Sequence, residues 1–177
     1  LTDVLERAIR DAHIANRYER IVIIGYSLGG VIARKSLLWG HGLDVDRTGS
    51  GRFPLGRHDW VNRVERFVSI AAPNRGWRSD NPPEHNPLWI NWFAMFMEEF
   101  GRLTDTGRLL RSVLAGTPFI ADMRVQWIGL ARELQERMPL VVHLIGKRDE
   151  LVHRDDSLDL ASAVGVQFKT LPRVGHL

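Results

Sequence analysis

Three residue types in this chain have the chemistry to move a proton to and from an acyl group, and the first of them is Ser27. It stands in Gly25-Tyr26-Ser27-Leu28-Gly29, between the aliphatic run Ile21 to Ile24 and a segment with helical spacing. A helix that begins directly after a central strand needs a very tight turn. The residue at its tip is forced into a strained backbone conformation that lifts the side chain clear of the sheet. A side chain two positions before or after is expected to collide with the neighbouring element, so both positions favour glycine. This is the G-x-S-x-G nucleophile-elbow pattern in its strand-then-helix setting. The hydroxyl then lies at a helix N-terminus, where the dipole favours negative charge, and the Leu28 N–H is placed to donate to an oxyanion. The plainer alternative is a turn in which Ser27 only caps the helix. Phosphate-binding loops do not fit, because the glycine spacing is not G-x-G-x-x-G and no Gly-Lys-Ser/Thr follows.

A serine hydroxyl is a weak nucleophile and needs a base, and the base needs an acceptor that holds its tautomer. In open parallel sheets such partners lie just beyond the carboxyl ends of later strands. Asp149, in Gly146-Lys147-Arg148-Asp149-Glu150, follows a third strand and is the candidate acid. Its neighbour Glu150 is expected to point elsewhere, and Asp155 and Asp156 are rivals that read as the start of the next helix. His176, after Gly175 and a fourth strand, is the candidate base. Of the seven histidines, His143 lies inside a strand and reads as a packed core residue, His13 lies on a surface helix, and His41, His58, His85 and His153 fall in loops. Ser27, Asp149 and His176 therefore occur in the chain order expected of a nucleophile-elbow hydrolase.

The elements that must position these residues are legible from periodicity. Leu1, Val4, Leu5, Ala8, Ile9, Ala12, Ala15 and Tyr18 form one apolar stripe, which predicts a surface helix packed on one face. The run Ile21 to Ile24 predicts a strand buried on both faces. A helix is expected from Leu28 to about Trp39, ended by Gly40, and residues 41–60 read as a long polar loop. Strands are expected at 64–73, 139–146 and 165–172, with a short helix within 155–163. Residues 74 to about 137 read as an inserted cap of three helices: one holding "PLWINWFAMFMEEF", one from Asp105 to Leu114, and one opened by Thr117 as a cap with Pro118 in the first helical position. Alternating strands and helices predict an α/β domain with a parallel sheet of about four strands flanked by helices.

Totals narrow the function classes. The chain has 177 residues, a formal net charge of +3 and no cysteine. Length fits one domain. Scattered arginines without a basic face or stacking motif argue against a nucleic-acid partner. The missing cysteine excludes disulfides and thiolate metal sites. No apolar run reaches the length that spans a bilayer. The N-terminal "LTDVLERAIRD" has no signal-peptide layout and reads as the interior of a longer chain.

Taken together, these motifs resemble the α/β-hydrolase superfamily and, within it, the lipase and esterase branch. "GYSLGGVIAR" resembles that branch's "GHSMGG-x-x-AR" elbow and helix, "APNRG" its "TPHxG" turn, "GKRDELV" its acid loop and "VGHL" its histidine loop. The resemblance covers nearly the whole chain apart from the 41–60 loop and the cap. It implies that the four strands are the fifth to eighth of an eight-stranded sheet, and that Ser27, Asp149 and His176 hydrolyse an acyl ester or related bond. Asn74 stands where the branch often has histidine. The "HG" loop that supplies the branch's second oxyanion donor has no counterpart before Ser27, so that loop and the early strands are expected upstream of this sequence.

In the first cap helix Leu88, Trp89, Trp92, Phe93, Phe96, Met97 and Phe100 share one face. Such a face either packs the cap or lines an acyl pocket, and Tyr26, Trp89, Trp92, Phe93 and Phe96 are the candidate substrate-binding residues. Contact with a membrane surface is not supported, because the polar side carries glutamates where lysine and arginine are expected. Asp44, Asp46, Thr48 and Gly49 mimic the opening of a calcium loop, but its twelfth position is Leu55 instead of a bidentate glutamate. The expected reaction needs no metal or cofactor. The sequence thus points to a serine hydrolase of carboxylic esters acting on a small-molecule or lipid ester. Acyl transfer and thioester cleavage are open to the same machinery. The competing class is a hydrolase-fold interaction module without turnover.

Overall fold

The computed structural model describes residues 2–43, 56–78, 112–157 and 166–176. Four strands, β1 (Ile21–Tyr26), β2 (Val64–Ile70), β3 (Leu140–Gly146) and β4 (Val166–Leu171), form one sheet in the order β1-β2-β3-β4. Every pairing is parallel, and the register aligns Gly25, Ser69, His143 and Phe168 across the sheet. Because all strands run one way, the segments after β1, β3 and β4 leave from the same edge. The α/β architecture with a four-stranded parallel sheet agrees with the expectation from sequence.

Helices α1 (Thr2–Asn16), α2 (Leu28–Gly40) and α3 (Pro118–Leu134) accompany the sheet, and a single turn, α4 (Arg154–Ser157), follows β3. The core gathers Ile23, Phe67 and Val141 from the strands, Val31, Leu37 and Leu38 from α2, and Ile120, Met123, Trp127 and Leu130 from α3. Phe67 and Trp127 meet at 5.7 Å between ring centroids. Each such side chain contributes about 1.5–3 kcal/mol by leaving water. The expected third cap helix is thus a helix of the main core: its apolar face packs onto the sheet. The aromatic first cap helix with Trp89, Trp92, Phe93 and Phe96, and the calcium-like stretch Asp44 to Leu55, lie outside the described residues. Of the second expected cap helix only its end is described, where Leu114 pairs in a parallel bridge with Trp77.

Several local expectations need correction. β1 is not buried on both faces. In this chain Ile23 faces the core-forming helices, while Val22 is 50% and Ile24 65% exposed on the other face. The stripe of α1 is also not uniformly buried. Leu5 and Ile9 pack on the core, Val4 and Tyr18 are exposed, and the buried residue of the helix is Glu6. The Glu6 carboxylate accepts the Trp60 indole N–H at 3.0 Å and lies 2.5 Å from His58 Nδ1. A 3-10 turn, Asp59–Arg63, which straddles the end of the 41–60 segment read as loop, is thereby fastened to α1. Gly40 does not end α2 through left-handed backbone. His41 follows as the cap, and the positive φ falls on Gly42. Gly40 is needed for space, since a Cβ there would lie 2.4 Å from Trp60 Cζ2. Thr117 does not cap α3 with its side chain. Its Oγ1 donates instead to the carbonyls of Ser112 and Leu114, at 2.6 and 2.8 Å.

Candidate active site

The turn between β1 and α2 has the strain that its sequence implies. Ser27 adopts φ 51°, ψ −130°, a region that costs a non-glycine residue about 1–3 kcal/mol. Its N–H donates to the Ile70 carbonyl at 2.8 Å, which ties the tip to the neighbouring strand. The two flanking glycines differ. A Cβ at Gly25 would lie 2.5 Å from Gly30 Cα, so that position has no room, whereas a Cβ at Gly29 meets nothing within 4 Å. The second close approach is at Gly30, where a Cβ would lie 2.6 Å from Ala72 Cβ. The collision expected two residues after Ser27 therefore occurs three residues after it, where the first turn of α2 crosses the end of β2. Leu28 opens α2. Its N–H is among the helix-start donors that have no carbonyl one turn back, so it is available to an external acceptor.

Ser27, Asp149 and His176 come together at the C-terminal edge of the sheet. His176 Nε2 is 2.9 Å from Ser27 Oγ, and His176 Nδ1 is 3.0 and 2.9 Å from the two oxygens of Asp149. The acid and the imidazole are both buried. A carboxylate only accepts, so Nδ1 carries the proton and Nε2 is left to accept the serine hydroxyl. Asp149 Oδ1 also accepts the N–H groups of Leu151 and Val152, at 2.9 and 2.7 Å, which fixes the carboxylate on its own turn. Asp155 is exposed, and Asp156 is buried against Arg78, whose Nε donates to it at 2.9 Å. Burial raises the Asp156 carboxyl above its ordinary range, with Arg78 pulling the other way.

Two neighbours were not anticipated in these positions. Glu150 does not point away: its Oε2 accepts the His176 main-chain N–H at 2.9 Å. Tyr26, a candidate substrate contact, uses its hydroxyl to donate to the His176 carbonyl, and its ring lies 5.2 Å from the imidazole. Burial first, then the charges of Asp149 and Glu150, raise the Tyr26 phenol above its usual value, so it stays a donor. The one signal in the sequence for Glu150 was Gly175, which offers the space that this carboxylate fills.

Asn74, the departure from the "TPHxG" pattern, is fully buried beneath the site. Its Nδ2 donates to Ser69 Oγ at 3.4 Å and to the Ser157 carbonyl at 3.0 Å, and lies 3.2 Å from His143 Nδ1. His143 is the packed core residue expected from sequence, stacked on Phe168 at 4.9 Å. Arg34, also buried, lies 4.6 Å over the Trp127 ring and donates to the Asn74 carbonyl at 3.5 Å. Among the described residues no group of three or more His, Cys, Asp or Glu is placed to hold a metal, and no helix is long and apolar enough to cross a membrane.

Solved structures with this fold include an α/β-fold family hydrolase from Bacillus anthracis str. Sterne (9% identity, TM-score 0.52, 99% of this chain and 67% of that one). The chain is also similar to a lipase-esterase related protein from Clostridium acetobutylicum ATCC 824 (17%, 0.47, 99% and 66%) and a meta-cleavage product hydrolase from Pseudomonas fluorescens IP01 (19%, 0.48, 99% and 64%). The chain thus spans just under two thirds of the length of the latter two. No curated protein matches it. The sequence profile described as the Alpha/beta hydrolase family matches residues 1–177. With that match over its whole length, and a parallel sheet of the same kind, the chain belongs to the alpha/beta hydrolase family.

Proposed function

We propose that this chain carries the nucleophile, base and acid of a serine hydrolase that cleaves carboxylic esters. The observation that supports it best is the unbroken line Ser27 Oγ, His176 Nε2, His176 Nδ1, Asp149, with each link near 3 Å and each residue from a different strand end. A strained serine aimed into that line has no use in a protein that only binds.

In the reaction, Ser27 Oγ bonds to the ester carbonyl carbon while His176 Nε2 takes the hydroxyl proton. The carbonyl electron pair moves onto oxygen, and the Leu28 N–H donates to that oxyanion. Return of the pair breaks the bond to the alcohol, which leaves with the proton from Nε2. Water then repeats the sequence in reverse roles, giving up its proton to Nε2 and releasing the acid and a free Ser27. Asp149 stabilises the imidazolium formed in both halves without taking its proton. The substrate is a small-molecule or lipid ester, and the reaction needs no cofactor.

A fluorophosphonate probe tests this reading on the intact protein. Covalent labelling that disappears in Ser27→Ala, with a loss of ester turnover on the order of a million-fold, is the expected result. A wild-type protein that neither labels nor hydrolyses short p-nitrophenyl esters returns the fold to the class of interaction modules.

A further inference from the structure

We propose that Glu150 is a positioning residue that clasps the main chain of His176, with Tyr26 as the opposing anchor, so that two adjacent carboxylates divide the task of holding one histidine. The proposal rests on the reading of His176 as the base. His176 lies five residues past the end of β4, in a segment without helix or strand and directly after a glycine. A histidine there has both backbone and ring freedom to lose. Asp149 restrains only the ring. The Glu150 carboxylate accepts the main-chain N–H at 2.9 Å, and the Tyr26 hydroxyl donates to the carbonyl from the β1 side.

The surrounding contacts show that the acid turn and the histidine loop are built as one unit. The Arg148 N–H donates to the Val174 carbonyl at 3.1 Å, and the Lys147 N–H to the Leu171 carbonyl at 2.9 Å. Gly146 has no room for a side chain, because a Cβ would lie 2.4 Å from the Val174 carbonyl oxygen. A Cβ on Gly175 would lie 2.7 and 2.9 Å from the two Glu150 carboxylate oxygens. Glycine at 175 thus leaves the Glu150 carboxylate its place beside the His176 N–H, and a methyl there would press on it. Positioning of this kind matters because a misplacement of about 1 Å can cost on the order of a hundred-fold in rate.

The test uses Glu150→Ala, Glu150→Gln and Gly175→Ala in the intact protein, with two readouts. In ester turnover, Glu150→Ala is expected to lower kcat about 10- to 100-fold with KM changed less than about twofold. Glu150→Gln should recover most of the loss, because the amide oxygen accepts the same N–H. Gly175→Ala should lower kcat while Glu150 is present and add little on top of Glu150→Ala. Hydrogen exchange of the His176 amide reads the clasp without turnover: protection in wild type and Glu150→Gln, and loss of it in Glu150→Ala. Wild-type kcat in Glu150→Ala, equal losses in the Ala and Gln variants, or an unprotected His176 amide in wild type would each overturn the proposal. If Glu150→Ala does not fold, a His176 amide left unprotected in Glu150→Gln overturns it just as well. A protected amide in a protein that turns over no ester sinks the hydrolase reading and leaves the clasp standing.

Discussion

His41 offers a prediction whose size can be worked from its surroundings. It closes α2, is almost wholly buried, and its Nε2 has no hydrogen-bond partner among the described residues. Protonation would place a charged donor there with nothing to accept from it. Burial, and secondarily the nearby Arg57 charge, lower its pKa from 6.5 to about 4. In the unfolded chain the ring titrates near 6.5. The folded state therefore favours the neutral ring. Its contribution is complete above pH 6.5 and is lost as the pH falls from 6.5 towards 4, where the unfolded chain binds a proton that the folded chain refuses. Between pH 7.5 and 4.5 this covers about two pH units, and at about 1.4 kcal/mol per unit it amounts to about 2.5 kcal/mol. Urea unfolding at the two pH values, on wild type and on His41→Met, isolates the term: the variant should lose about 2.5 kcal/mol less on acidification. Methionine fills a similar volume and does not titrate. Parallel losses in the two proteins, within about 0.5 kcal/mol, would refute the argument that the buried ring stays neutral.

Two further predictions concern the site. Asp149→Asn keeps the shape but presents an amide to Nδ1 and so permits the wrong tautomer. It should lower kcat by about 10⁴ with little change in KM, as measured by steady-state ester hydrolysis. The neighbouring glycines of α2 should behave oppositely. Gly30→Ala forces a methyl against Ala72 and should cost about 1–3 kcal/mol in urea unfolding, whereas Gly29→Ala enters open space and should leave stability unchanged or raise it by up to about 1 kcal/mol.

The candidate site was readable because its signals are local. A glycine-flanked serine between an aliphatic run and a helical segment needs only chain connectivity to imply a strained turn. A parallel sheet sends every strand end to one edge, so Asp149 after β3 and His176 after β4 could be placed near Ser27 from their order alone. The same locality explains the failures. Gly29 and Gly30 are adjacent glycines, and only the crossing of α2 over the end of β2 decides which one has no room for a methyl. Gly40 looked like a helix stop, yet it is packed under Trp60, twenty residues later in the chain.

Amino-acid order by itself determined the alternation of strands and helices, the parallel sheet, and the three residues at its C-terminal edge, because periodicity and tight-turn sterics act over a few residues. Only the tertiary structure decided what lies against what. It buried Glu6 of a charged helix against Trp60 and His58, packed the helix Pro118–Leu134 into the main core, and turned Glu150 onto the His176 main chain. Burial and hydrogen-bond partners are properties of surfaces that meet in space, and residues far apart in the chain supply the two sides of each.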